Sequence, residues 1–355
     1  MISSHPSVSP RIAVIGGGLA GACAAWALAR GGAEVTVFER NYVASGASGA
    51  AVGALQPLTG MRLSIREENL RGFFRTKALV QELLIEGRTW RASGVLRLAV
   101  ADEQAERWRA RFDGLPAGLA RWLEGPPLRA VEPRLHEHIV AGVCIDEACM
   151  VDIPAFVHAL LAVSSAQVVE HTEVLAIERV ASGLELRLSG GQRAVFDRVV
   201  IASGSQAPEP LRDEVMETAP YMGILAAFGG IEPPRVSLNC RGYIAAWHDD
   251  TVLVGTVDRR MPLDANEPTE ASIAELRDRL HRVLDLQAEP HLVRVWKGIR
   301  PAMRDRAPVA RMAHSMDDVW ILTGFGGRGL LLGPSLAESF AEQLLGRRLT
   351  TARTV

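Results

Sequence analysis

Cysteine is scarce in this 355-residue chain, and neither sign of charge dominates it. The four cysteines show no CxxC spacing and are too few for a disulfide framework, so we expect a reduced, cytoplasmic compartment. Lysine and arginine number 39 against 41 acidic residues, a formal charge of −2, so binding of nucleic acid would require a local basic patch. The hydrophobic fraction of 48% is that of a globular protein, and the length predicts two domains.

Long uncharged segments are also nearly absent. The exception is the 18-residue segment 12–29, which lies between Arg11 and Arg30 and has the composition of a signal peptide or a short membrane span. Three consecutive glycines, from Gly16 to Gly18, disfavour both alternatives because glycine weakens a helix at its centre. We therefore expect no membrane span.

Apolar periodicity predicts strand and helix patterns at both ends of the chain. The chain starts with a strand at 11–15, a helix at 19–30 and a strand at 34–38, and it ends with a strand at 319–323, a glycine-rich turn and a helix at 329–345. Further strands are predicted at 95–100, around Val168, and at 174–180, 184–188, 198–201, 223–228, 243–247, 252–257 and 292–299. Further helices are predicted at 64–86, 103–112, 154–163 and 269–284. The last of these is predicted to start with a cap at Thr269-Glu270.

These patterns predict an α/β protein, α+β overall, in which a Rossmann-like dinucleotide-binding domain is interrupted by an antiparallel-sheet substrate domain. The first domain is predicted to comprise 1–85, 151–212 and 305–355, and the second 86–150 and 213–304. The sequence contains neither an internal repeat nor a low-complexity linker.

A phosphate-binding fingerprint lies between the first predicted strand and helix. The run from Gly16 to Gly21 satisfies GxGxxG. Its first glycine permits a tight turn, its second lets the backbone approach a pyrophosphate, and its third allows close helix–strand packing. Glu39 ends the next strand, 23 residues after Gly16, where a carboxylate accepts hydrogen bonds from a ribose diol. A glycine turn that binds nothing is the alternative.

A second run of small residues follows at 45–55. It predicts a loop whose backbone lies against another part of the cofactor, with Ser48 donating to the pyrophosphate. A flexible surface loop is the alternative, but the apolar Ala50-Ala51-Val52 run disfavours it.

Several further motifs follow in chain order: Gly46-Ala47-Ser48-Gly49, Gly53-Ala54-Leu55, Ile201-Ala202-Ser203-Gly204, Gly242-Tyr243-Ile244, Trp296-Lys297-Gly298-Ile299-Arg300-Pro301 and Gly324-Phe325-Gly326-Gly327-Arg328-Gly329-Leu330. With them the sequence resembles the D-amino-acid oxidase superfamily of FAD-dependent amine oxidoreductases, over residues 11–349. The resemblance implies that the first domain binds FAD and that the protein oxidises a C–N bond.

The motifs resemble two groups within the superfamily that act on different substrates. The segments 50–55 and 296–301 look like glycine and sarcosine oxidases. The segments 53–57, 94–100 and 327–330 look like the oxidase half of the bifunctional enzyme that matures 5-methylaminomethyl-2-thiouridine in tRNA. That half removes a carboxymethyl group from a wobble-uridine amine. The sequence shows no counterpart of its methyltransferase half, and the loop is apolar where that relative's is polar.

We therefore expect hydride transfer from the α-carbon of a glycine-like primary or secondary amine to flavin, followed by hydrolysis of the imine. The tRNA uridine is the alternative substrate, and a non-catalytic flavin-binding protein is a further alternative. A basic stretch from Arg62 to Lys77 is either a solvated helix face or an RNA contact. The electron acceptor is oxygen or a quinone.

Three side chains are candidates for the reaction centre. Arg300 ends a predicted strand, and its guanidinium can hold a substrate carboxylate through two parallel hydrogen bonds; an ion pair with Asp305 is the alternative. Tyr243 can add a hydroxyl to that carboxylate or be a buried strand residue. Arg328 faces the flavin or the entrance for the substrate, and exposure to solvent is the alternative.

The fingerprint and the resemblance together also predict the FAD contacts. Backbone N–H groups of Gly329, Leu330 and Leu331 are expected to stabilise negative charge on the flavin. No cysteine lies at 325–332, so we expect noncovalent FAD, and no metal. The predicted FAD-contacting residues are Gly16, Gly18, Leu19, Ala20, Gly21, Glu39, Arg40, Ser48, Gly53, Ala54, Leu55, Val174, Ala202, Gly204, Arg300, Gly327, Gly329, Leu330 and Leu331.

Overall fold

The computed structural model describes residues 9–49, 52–60, 62–63, 65–216, 219–260 and 268–349. The chain divides into two compact units. The first unit comprises Met1–Gly49, Pro154–Pro220 and Arg300–Val355, and the second comprises Ala50–Ile153 and Tyr221–Ile299. Each unit is therefore built from segments that are far apart in the sequence.

The described residues form helices and strands that we number in chain order. The helices are α1 (Leu19–Arg30), α2 (Glu67–Leu83), α3 (Asp102–Phe112), α4 (Gly125–Val131), α5 (Ile153–Ser164), α6 (Arg212–Met216), α7 (Glu270–Val283) and α8 (Gly329–Leu345). The strands are β1 (Arg11–Ile15), β2 (Glu34–Phe38), β3 (Val52–Leu55), β4 (Trp90–Arg91), β5 (Val95–Ala99), β6 (Arg121–Glu124), β7 (Ala141–Ile145), β8 (Cys149–Asp152), β9 (Gln167–Val169), β10 (Val174–Val180), β11 (Gly183–Leu188), β12 (Arg193–Phe196), β13 (Arg198–Ile201), β14 (Ala219–Gly229), β15 (Ser237–Asn239), β16 (Tyr243–Ala246), β17 (Val252–Arg260), β18 (His291–Ala302), β19 (Val309–Met312) and β20 (Val319–Thr323). Short 3₁₀ helices cover Ala47–Gly49, His248–Asp250 and Gly326–Arg328.

A six-stranded sheet in the order β19-β20-β13-β1-β2-β9 forms the centre of the first unit. Its neighbouring strands are parallel, except that β19 and β20 are antiparallel. The consecutive residues Ile12, Ala13 and Val14 of β1 are all fully buried, as expected for a parallel strand covered on both faces. Helix α1 packs against α8. This arrangement confirms the predicted Rossmann-like fold.

An eight-stranded sheet in the order β18-β14-β17-β16-β15-β5-β7-β6 dominates the second unit. Its described pairings are antiparallel, except that β15 and β5 are parallel. Ile244 packs on one face with Leu276 of α7, whereas Tyr243 and Ala245 lie on the other face. On this second face, which we call the Tyr243 face, Met150 of the small sheet β3-β8-β4 packs against the large one.

The unit boundaries differ from the predicted domain boundaries. Residues 50–85 were assigned to the first domain, but the structure places them in the second unit. The reason is that β3 pairs along its whole length with β8, from Val52 opposite Asp152 to Leu55 opposite Cys149. This pairing is not visible in the sequence because β3 contains only small apolar residues and was predicted as a loop.

Other differences concern short elements. The strands β3, β4, β6, β7, β8, β12, β15 and β19 were not predicted, since two to five residues show no clear period. The predicted start of α2 at Ser64 lies outside the described residues. The predicted cap of α7 is confirmed: the Thr269 hydroxyl accepts the Ser272 backbone N–H at 3.3 Å, and the Ser272 hydroxyl accepts the Thr269 N–H at 3.0 Å.

Helix α1 occupies most of the uncharged segment 12–29 and has 12 residues. Within the described ranges, no helix has both the length and the apolar character needed to cross a bilayer.

Candidate functional site

The glycines of the fingerprint are required by close backbone approaches within the first unit. Gly16 has φ of +111°, and a Cβ there would lie 2.6 Å from the Ala202 carbonyl oxygen. A Cβ on Gly21 would lie 1.9 Å from the Gly16 carbonyl oxygen. The first turn of α1 is therefore pressed against β1 and the end of β13 without intervening side chains, as the fingerprint predicts.

Two side chains accept hydrogen bonds from backbone N–H groups at the start of α1. The Glu39 carboxylate accepts the Gly17 N–H at 2.8 Å and the Asn41 N–H at 3.0 Å. The Ser48 hydroxyl oxygen accepts the Leu19 N–H at 2.9 Å, and its own hydrogen can be donated to a phosphate. This arrangement fits FAD, because a carboxylate for a ribose and a hydroxyl for a pyrophosphate lie beside a positive helix N-terminus.

Two other predicted cofactor residues of the first unit, Ala202 and Gly204, follow the carboxyl end of β13. Ala202 follows β13 and donates its N–H to the Ile15 carbonyl at 2.9 Å. Gly204 has φ of +76°, and its carbonyl accepts the Thr323 hydroxyl at 2.9 Å. Val174 is buried at the start of β10, and the exposed Arg40 side chain donates to Gln206.

Arg300 lies beside the glycine-rich turn that precedes α8. A bridge between Ala302 and Phe325 places the end of β18 next to this turn. A Cβ on Gly327 would lie 3.5 Å from Arg300 Nη1. The Arg300 guanidinium therefore lies next to the Gly327 backbone, where no side chain separates the two. Arg328 donates to the Arg306 carbonyl.

The first turn of α8 follows this point immediately. Helix α8 begins at Gly329, and the next two residues, Leu330 and Leu331, are only 6% and 5% exposed. Because these three residues have no polar side chain, the backbone N–H groups are the hydrogen-bond donors of this turn. Arg300 and a helix N-terminus are thus brought together, and both favour negatively charged groups.

The second unit holds the remaining predicted site residues. Gly53, Ala54 and Leu55 belong to β3, not to a loop, and Leu55 is fully buried. The Tyr243 hydroxyl donates to the Val52 carbonyl at 2.6 Å. Tyr243 therefore attaches β3 to the Tyr243 face.

Arg97 was not singled out from the sequence. It is 4% exposed in β5 and donates to the Leu58 and Gly60 carbonyls, both at 2.5 Å. Burial lowers the pKa of Arg97 to about 10, so it stays charged at neutral pH. It fixes the segment that follows β3. The sequence feature that could have identified Arg97 is its position inside the otherwise apolar run Val95–Ala99, because a charged residue within a buried strand needs polar partners.

His136 and His138 lie side by side, with their Nδ1 atoms 2.8 Å apart. The part of the chain that the structure describes contains no group of three or more potential ligands that could hold a metal ion.

The parallel sheet, the glycine turn and the acid after β2 define a dinucleotide-binding enzyme fold. The family model described as DAO, FAD dependent oxidoreductase, matches residues 11–343. The chain belongs to this family and is an FAD-dependent oxidoreductase, which confirms the resemblance found in the sequence.

Two relatives anticipated from the motifs are among the curated matches. The tRNA 5-methylaminomethyl-2-thiouridine biosynthesis bifunctional protein MnmC of Maricaulis maris is 29% identical over 99% of this chain and 54% of its own length. Glycine oxidase of Bacillus licheniformis is 26% identical over 95% of this chain and 94% of its own length. The chain thus spans about half the length of the bifunctional relative.

Solved structures share the fold. Glycine oxidase from Geobacillus kaustophilus matches with a TM-score of 0.81 and 23% identity over 98% of each chain. Iminodiacetate oxidase from Chelativorans sp. BNC1 matches with a TM-score of 0.79 and 21% identity, over 97% of this chain and 98% of that one.

Proposed function

We propose that this protein oxidises the C–N bond of a glycine-like primary or secondary amine, with FAD held noncovalently by the first unit. The observation that carries the proposal is the position of Arg300 next to the Gly327 backbone, directly before the first turn of α8. A planar guanidinium at this point offers a carboxylate two parallel hydrogen bonds.

The first unit supplies the groups that would hold FAD. The N-terminus of α1 and the Ser48 hydroxyl face the pyrophosphate, Glu39 binds a ribose diol, and the N–H groups of Gly329 to Leu331 face negative charge on the flavin. FAD, when bound, supplies the two-electron acceptor for the hydride that leaves the substrate α-carbon.

Arg300 fixes the substrate by its carboxylate and so orients the α-carbon. The candidate site requires no general base, because an amine that binds deprotonated already carries the electron pair needed to form the imine. The Tyr243 hydroxyl donates its hydrogen to the Val52 carbonyl, so in this arrangement it has none to donate to a substrate carboxylate.

Removal of a carboxymethyl group from a tRNA wobble uridine is the second candidate. It is favoured by the 29% identity to the bifunctional relative over 99% of this chain. The basic stretch from Arg62 to Lys77 gives little support to RNA binding, because two of its charges are paired with acidic side chains. Arg66 pairs with Glu68, and Lys77 pairs with Glu147.

The purified protein is expected to be yellow and to release intact FAD into the supernatant on acid precipitation. The reason is that 325–332 contains no cysteine to form a thioether. Absorbance and mass of the released chromophore check this. Flavin that stays in the pellet, or FMN or NAD in its place, would contradict it.

The reaction itself is tested by anaerobic mixing with glycine, N-substituted glycines, other amino acids and a 5-carboxymethylaminomethyl-uridine nucleoside. Glycine and the N-substituted glycines are expected to bleach the flavin, since they carry both the carboxylate and the amine. Bleaching by the nucleoside alone would favour the second candidate, and bleaching by no compound would indicate a non-catalytic flavin protein. Oxygen or a quinone, added afterwards, identifies the electron acceptor.

A further inference from the structure

The loop that follows β2, residues 39–49, carries two side chains proposed to hold FAD, Glu39 and Ser48; we call it the Ser48 loop. Its first residue is bonded to the chain around the end of β9. The Glu39 N–H donates to the Val169 carbonyl at 2.9 Å, and the Thr172 N–H donates to the Glu39 carbonyl at 2.9 Å. Both segments belong to the first unit. Backbone pairing therefore fixes the start of the Ser48 loop.

One side chain holds the next part of this loop. The Glu170 carboxylate accepts the Val43 N–H at 2.6 Å. Val43 is 5% exposed, whereas Glu170 is exposed. A buried backbone N–H requires an acceptor, and Glu170 supplies it from a position 127 residues away in the chain. The path of the Ser48 loop at Val43 thus depends on the Glu170 side chain.

Close contacts continue from Ala44 to Ser48. Ala44 has φ of +61° and donates its N–H to the Gly17 carbonyl at 3.0 Å. A Cβ on Gly49 would lie 2.4 Å from the Ala44 carbonyl oxygen, so the end of the loop packs directly against Ala44. The Ser48 hydroxyl then accepts the Leu19 N–H at 2.9 Å. The position of this hydroxyl therefore depends on where the chain enters Ala44.

We propose that Glu170 is a positioning residue for FAD. By holding Val43 it fixes the Ser48 loop, and it thereby keeps the Ser48 hydroxyl at the start of α1, where its hydrogen can be donated to the pyrophosphate. This role rests on the proposed function, in which Ser48 faces the pyrophosphate. Glu170 acts through the loop and not on FAD itself, because an ionised carboxylate has no hydrogen to donate to a phosphate.

Glu170→Ala is expected to raise the dissociation constant of FAD about tenfold, the size of one charge-assisted hydrogen bond. Ultrafiltration of diluted holoenzyme measures free and bound FAD. Charge alone predicts the opposite sign, because removal of a carboxylate favours an anionic ligand. The direction of the change therefore distinguishes positioning from electrostatics.

Two further variants separate the position of the acceptor from its charge. Glu170→Gln keeps an acceptor oxygen at the same reach, so it is expected to bind FAD within about threefold of the wild type. Glu170→Asp keeps the charge but withdraws the acceptor by one methylene, so it is expected to bind nearly as weakly as Glu170→Ala.

Glu173→Ala is the matched control, since it removes an exposed carboxylate three residues further along the chain. The hydrogen bonds between Glu173 and Ser189 are made by the Glu173 backbone, so the variant keeps them. It is expected to bind FAD as tightly as the wild type.

A double-mutant cycle with Ser48→Ala tests whether Glu170 acts through Ser48. Once the hydroxyl is absent, Glu170→Ala is expected to weaken FAD binding by less than about twofold further. General loosening of the first unit would instead weaken binding by the same factor in both backgrounds.

Three results would overturn the role of Glu170 and leave the proposed function intact. They are FAD binding by Glu170→Ala that is as tight as in the wild type, Glu170→Gln as weak as Glu170→Ala, and an undiminished effect in the Ser48→Ala background. A wild-type protein that binds no FAD would overturn the proposed function, and the role of Glu170 with it.

Discussion

Arg300→Lys is expected to leave FAD content unchanged and to slow flavin reduction by carboxylate-bearing amines about ten- to a hundredfold at subsaturating substrate. Lysine keeps the charge but loses the planar pair of donors, so the carboxylate keeps one contact where it had two. The loss of one charge-assisted contact is worth ~1.5–3 kcal/mol. The measurement is anaerobic stopped-flow reduction with one amine and with its decarboxylated analogue.

Arg304→Lys is the control for this variant, since Arg304 is an exposed arginine four residues further along the chain. It is expected to reduce flavin at the wild-type rate. Should Arg300→Lys slow both substrates equally, or neither of them, Arg300 does not bind the carboxylate. The class of the enzyme would be unaffected by that result.

Gly21→Ala is expected to abolish stable FAD binding. The added Cβ would lie 1.9 Å from the Gly16 carbonyl oxygen, a contact that the backbone can relieve only by separating α1 from β1. Overpacking of this kind costs about 3 kcal/mol, which corresponds to a fall of about 6–12 °C in Tm for a unit of this size. Flavin-to-protein ratio and thermal unfolding followed by circular dichroism check both effects.

Gly46→Ala serves as the matched substitution, because a Cβ on Gly46 would have no neighbour within 4 Å. It is expected to bind FAD normally and to unfold at the wild-type Tm. If Gly21→Ala behaves like Gly46→Ala, then close packing at the third fingerprint glycine does not determine cofactor binding.

The elements that were predicted correctly have strong local signals. The strand β1, the helix α1 and the acid at Glu39 were predicted because a buried strand, a GxGxxG turn and a second strand follow one another within 30 residues. The cap of α7 was predicted for the same reason, since Thr269 contacts a residue only three positions away.

The elements that were missed depend on partners distant in the chain. The strand β3 has no period of its own and exists because β8, about 95 residues later, pairs with it. The contact between the Ser93 and Ser237 hydroxyls could not be predicted for the same reason, since 144 residues separate them in the chain. Arg97 was missed because its acceptors are backbone carbonyls, which no side-chain pattern reveals.

The order of strands in the first unit has a consequence for how the protein is made. β1 is synthesised first, yet one of its neighbours is β13, with Ile12 opposite Arg198, and β13 in turn pairs with β20 at Val319. The glycine turn at Gly16 therefore leaves the ribosome long before Ala202, the residue that encloses it, has been synthesised. Contacts of such long separation form slowly, and the nascent chain exposes apolar strands meanwhile. Cofactor loading is thus a late event in biosynthesis, after the second unit's first segment has already emerged.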